Sequence, residues 1–162
     1  MKFFKRALLF LAITFIVIQF FRPQKNISAA PSTNHISQKF SVPDDVKQIL
    51  ATSCYDCHSN NTHYPWYFSV QPVAWWLSDH INEGKKHLNF DEFTSYPLQR
   101  QFNKFKQTAE EVEEDGMPLS SYLAIHGDAA ISPEQKEKII AWCDECRNAM
   151  KAMYPADSLK KQ

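Results

Sequence analysis

Glycine is scarce in this chain, with three among 162 residues, and no run alternates β-branched with polar side chains. Together these absences leave little signal for strands, and the apolar periodicity is helical. Net charge is missing as well. Eighteen basic and 18 acidic residues cancel, so no basic field marks a nucleic-acid surface. There is no internal repeat. No Ser/His/Asp or paired-carboxylate constellation offers itself for hydrolytic chemistry. Long apolar runs are few, and a short one needs tilt or local bilayer thinning to span a membrane. The longest apolar run, Ala7 to Phe21, is broken by Thr14 and Gln19 and falls short of the ~20 residues that cross a bilayer comfortably.

Against these absences stands Cys54-Tyr-Asp-Cys57-His58. Two cysteines separated by two residues, followed at once by histidine, make the attachment pattern of a covalent c-type haem. Each thiol adds across one vinyl group, and two intervening residues let one helical turn reach both. The histidine then projects toward iron as a neutral imidazole ligand. A disulfide, half a zinc site or packed thiols are the plainer readings of such a pair, and His58 is what favours haem.

Compartment follows from the N-terminus. Lys2, Lys5 and Arg6 precede the apolar run, and Arg22 and Lys25 follow it, the layout of an export signal. Ser28-Ala29-Ala30 offers small residues for cleavage, but two cations separate it from the apolar run. An uncleaved anchor at residues 7–21 is therefore expected, with the rest exported to the periplasm or the outer face of the cytoplasmic membrane. Membrane contact is expected through this helix, and redox partner proteins are unidentified. The expected organisation is signal or anchor over 1–22, linker over 23–41, haem-binding domain over 42–155 and a polar tail over 156–162.

Helices are expected from Pro43-Asp44-Asp45 into the cysteine motif, from Pro72 to an end at Gly84, over about Leu98–Glu114, and briefly after Pro118. Another is expected from Ser132 to about Met153, where Ser132, Pro133 and Gln135 form a capping-box start. Ile139, Cys143, Cys146, Met150 and Met153 are its expected buried stripe. The fold class is all-α, a small cytochrome c-like domain around one haem, with 14% aromatic residues to pack on a flat macrocycle.

For the sixth iron position, Met117 between Gly116 and Pro118 is the choice, since it lies in a turn and not on a core stripe. His80, on an apolar helix face, and His126, at a helix end, are its rivals. Pro72 is a candidate to orient His58 through its carbonyl. Cys143-Asp-Glu-Cys146 repeats the cysteine spacing but is followed by Arg147, so it does not read as a second haem site. Packed thiols, a disulfide and a redox pair all stand as readings of it. Glu110, Glu111, Glu113, Glu114 and Asp115 form an acidic cluster, read as a solvated helix face.

The order Cys54-Tyr-Asp-Cys57-His58-Ser-Asn, Tyr64-Pro65-Trp66-Tyr67, Pro72-Val73-Ala-Trp75, His80 to Gly84, Leu88-Asn89-Phe90 and Met117-Pro118 with Tyr122 and His126 resembles the bacterial haem-binding domain family over about residues 20–141. The resemblance implies one covalent haem c at Cys54 and Cys57, His58 as proximal ligand and Met117 as distal ligand. It implies no substrate. A mono-haem electron carrier is the expectation. A sensor or peroxidase-like enzyme with an open or labile sixth position is the alternative.

Overall fold

The computed structural model describes residues 1–160. Among the described residues there are seven α-helices, several of them linked through short 3-10 turns: α1 Lys2–Ile18, α2 Asp44–Ser53, α3 Tyr55–His58, α4 Val73–His87, α5 Leu98–Glu113, α6 Ser120–Leu123 and α7 Pro133–Met153. Among the described residues there is no strand, only an isolated antiparallel bridge between Ile27 and Asn61. The all-α class read from the sequence holds.

Local chemistry explains the boundaries. Pro43 precedes α2, and Asp44 and Asp45 lie in its first turn, where carboxylates complement the helix dipole. The α7 start is the expected capping box. Ser132 Oγ accepts from Gln135 N, Gln135 Oε1 accepts from Ser132 N, and Pro133 occupies the first turn. Helix α5 ends at Glu113, within a residue of its expected end. Helix α4 does not stop at Gly84 but runs to His87. A glycine inside a helix costs about 1 kcal/mol relative to alanine, and a packing reason for this one appears below.

Two apolar clusters form the interior. In the larger, Phe40, Phe93, Phe105 and Trp142 meet edge-on or tilted, with centroids between 4.9 and 5.9 Å apart. The α5–α7 pair supplies much of it, and the Trp142 indole donates to the Ser41 carbonyl. The smaller cluster joins Phe68 to Ala74, Leu77 and Ile81 of α4.

Several expectations need correction. The segment 23–41 was expected as a linker, yet Ile36 and Phe40 are core residues and Asn26 bonds to Tyr64, Ser59 and Thr62. Its polar composition hid two well-spaced apolar anchors and a side chain that completes a loop. Met153, the last residue of α7, is exposed. In the expected tail, Leu159 returns to the larger cluster; residues 161–162 lie outside the described residues.

Helix α1 buries none of its residues. No helix among the described residues is long and apolar enough to cross a membrane.

Candidate functional site

Helix α2 ends where the cysteine motif begins: Cys54 N bonds back to Leu50 O, and His58 N to Cys54 O. Cys54 caps the one short turn, α3, that carries the rest of the motif, and this turn lies between the two apolar clusters. Cys54 packs against the larger and Cys57 against the smaller. Both thiols are free. Burial pushes the Cys54 thiol up to about 12, with a lesser push from Cys57. It pushes Cys57 up to about 11, with a lesser push from Asp56. Both are accordingly neutral thiols near neutral pH.

His58 Nδ1 lies 2.9 Å from the carbonyl oxygen of Leu88, the residue that caps α4. With Nδ1–H donating there, Nε2 is the free basic nitrogen. Burial lowers the His58 pKa, only partly opposed by the Leu88 and Gly84 carbonyls. The imidazole is held neutral, as a metal ligand must be.

The Leu88 carbonyl is itself held. The next residue, Asn89, is buried; its backbone NH donates to Tyr96 Oη and its side-chain amide to Asn60 Oδ1 at 2.8 Å. Asn60 N in turn bonds to Asp91 Oδ2 at 2.7 Å. These contacts tie the loop after His58 to the loop after α4. Gly84 brings the two elements together. A Cβ on it would lie 2.8 Å from Cys57 O and 3.2 Å from Cys57 Cβ. Only a residue without a side chain lets α4 approach the motif this closely, which is why glycine is found inside the helix.

A narrow cleft with a mostly apolar lining opens beside Cys57, lined by Leu77 and Ile81 together with Tyr67, Tyr122 and His126. Tyr122 donates to Asp56 Oδ2 at 2.8 Å. Burial, and then that bond, raise the tyrosine's pKa. The His126 ring stacks on Tyr122 at 4.2 Å, and its Nε2 is 3.2 Å from Tyr67 Oη. Asp56 Oδ1 also accepts from His63 N. The α6 region is thus fastened to the middle of the cysteine motif.

Cys54, Cys57 and His58 come together on α3. Met117 does not line the cleft. It sits partly buried in the turn after α5, where its backbone NH bonds to Glu111 O. His126 lines the cleft, whereas His80 is turned to Trp76, with Nδ1 bonded to the Trp76 carbonyl and its ring 4.3 Å from the indole. Pro72 does not orient His58, since its carbonyl accepts from Trp75 and Trp76 inside the first turn of α4. Cys143 and Cys146 are buried free thiols on α7. No group of three or more metal-binding side chains occurs among the described residues. No sequence pattern advertises the roles of Leu88, Gly84 and Asn89. The available hint is a glycine inside a clear helical pattern, three residues before a charged helix end.

The donor set fits a haem: two neighbouring reduced thiols, and a neutral imidazole with one nitrogen anchored and the other free. Comparison with known proteins agrees. A family model described as haem-binding domain matches residues 13–145, a wider span than the motifs alone marked out. No curated protein and no solved structure matches the chain.

Proposed function

The chain belongs to the haem-binding domain family, and we propose from that premise that it is an exported cytochrome c with one covalently attached haem, carrying single electrons. Haem supplies reversible one-electron chemistry at iron. The protein supplies Cys54 and Cys57 as the attachment thiols, His58 Nε2 as the proximal ligand and Met117 as the distal one. The observation that carries the reading is the His58–Leu88 bond. It fixes the imidazole's tautomer and direction beside two free thiols, as ligating histidines require.

Export rests on the N-terminal layout of three cations, an apolar run and two more cations. Residues 7–21 serve as the anchor and leave the domain on the outer face of the cytoplasmic membrane. Hydrogen-bonded turns carry the α1 backbone on through Phe21, which lengthens the apolar rod beyond its regular helix.

A second reading has one observation in its favour. Tyr67, Tyr122 and His126 form a polar group beside Cys57, while Met117 stays out of that cleft. Polar distal groups beside a labile sixth position suit a gas sensor or a peroxidase-like enzyme. Reduced protein exposed to carbon monoxide separates the two. An unchanged spectrum supports the carrier, and a shifted spectrum supports the sensor or enzyme.

A further inference from the structure

The anchor has no slack. The backbone NH of Gln71, a nearly fully buried residue, donates to Gln19 Oε1 at 2.9 Å. The Gln71 side-chain amide donates to the Phe21 carbonyl at 2.9 Å, and the Trp75 indole donates to that same oxygen at 2.8 Å. Gln19 Nε2 returns a bond to Gln71 O at 3.3 Å. The end of the apolar rod is thus fastened to the first turn of α4. Beyond it, Asn26 is bonded to Tyr64, Ser59 and Thr62, so the chain stays on the domain.

Large apolar side chains crowd this junction, and the fold does not cover them. Phe20 and Phe21 are 82% and 63% exposed, Trp76 45%, Trp75 40% and Val73 36%. Trp66, on the adjoining 3-10 turn of residues Trp66–Ser69, is 81% exposed. In a water-soluble surface such a concentration marks a contact site. Indole rings prefer the boundary between headgroups and acyl chains, and Arg22 and Lys25 lie beside the same junction in sequence, where cations meet phosphates.

Length gives the second argument. Residues 7–21 as a helix reach about 22 Å, short of the ~30 Å hydrocarbon layer. A short span draws its flanking residues into the interface. Because the flank here is the α4 corner itself, the domain is drawn down with it.

We infer that the corner formed by Trp66, Val73, Trp75 and Trp76 is a membrane-contact face that rests in the headgroup layer of the bilayer holding α1. The domain lies on the lipid and does not swing above it. The inference rests on the proposed anchor.

The test uses the full-length haem-loaded chain in vesicles of phosphatidylethanolamine and phosphatidylglycerol, doped with a phospholipid photoreactive near its glycerol. Mass spectrometry maps the lipid adducts. Adducts on peptides covering residues 66–76, besides those on α1, are expected. In the variant Trp66→Ser/Trp76→Ser the adducts on 66–76 fall several-fold, while those on α1 and the haem spectrum stay unchanged. Neither indole bonds to another part of the fold, so the variant folds. Adducts confined to α1 overturn the inference and leave the anchor standing. Peptides 66–76 free of lipid but crosslinkable between two chains overturn it in favour of a second copy on this face. A chain that fails to float with the vesicles overturns the anchor and the inference together.

Discussion

His58 Nδ1 and the Leu88 carbonyl oxygen are 2.9 Å apart, joining the end of the cysteine motif to the cap of α4. That bond decides the imidazole's tautomer, and Asn89 decides where the carbonyl sits, through its bonds to Tyr96 and Asn60. Replacing Asn89 with alanine removes the bonds to half-buried Asn60 Oδ1 and Asp91 N, which costs about 0.5–1.5 kcal/mol. Thermal unfolding of the haem-loaded protein should register that loss, and a broadened or mixed axial-ligand signal in electron paramagnetic resonance should accompany it. An unchanged melting temperature and a single unchanged signal contradict the role given to Asn89.

Gly84→Ala sets two effects against each other. Alanine gains about 1 kcal/mol in a helix interior. The new methyl would sit 2.8 Å from Cys57 O, and backbone overpacking costs about 1–3 kcal/mol. The clash wins, because the neighbour is main chain and cannot rotate away. A lower melting temperature and poorer haem incorporation are expected. A variant more stable than the parent would show that α4 has room at this point.

The buried imidazole also sets a pH dependence in haem-free protein. The His58 pKa lies below its ordinary value of 6.5 because burial disfavours the charged ring. The folded state therefore binds fewer protons than the unfolded chain. His58 contributes stability that is present above pH 6.5 and is lost as pH falls through the folded value. Denaturant midpoints measured from pH 7.5 to pH 5 should fall less steeply for His58→Gln than for the parent. Equal slopes would mean that the ring is not neutral and buried before haem arrives.

Cys143 and Cys146 behave as packed side chains. Burial raises both thiol pKa values, Cys146 to about 12, so little thiolate exists near pH 8 and reagent access is poor. In folded haem-loaded protein neither should react with iodoacetamide, and both should react after unfolding. Rapid labelling of the folded protein would revive the redox-pair reading.

Met117→Ala tests the sixth ligand. Loss of the methionine-to-iron band in the near infrared, with new carbon monoxide binding, is the expected result. His126→Ala should leave that band in place. The reverse pattern would move the ligand to His126, which lines the cleft beside Cys57.

Where a signal was local and chemical, the sequence was legible. The cysteine motif, the Ser132–Gln135 capping box and the start of α4 after Pro72 each depend on residues a few positions apart. What escaped depended on partners far along the chain. Asn26 looks like linker composition until Tyr64, Ser59 and Thr62 are folded against it. Gly84 looks like a helix stop until Cys57 is found across from it. Leu88 acts through a carbonyl, which no side-chain pattern advertises. Met153 continues the apolar stripe in sequence yet is exposed, while Tyr154 and Leu159 beyond it pack on the larger cluster.

Covalent attachment is read out by the intact mass of the denatured full-length chain, produced with the haem-attachment machinery present. The expected mass is that of the chain plus one haem, falling to that of the bare chain when Cys54 and Cys57 are both replaced by alanine. A parent chain that runs at its bare mass, with its haem extracted by acidified solvent, would contradict covalent attachment and the cytochrome c reading with it.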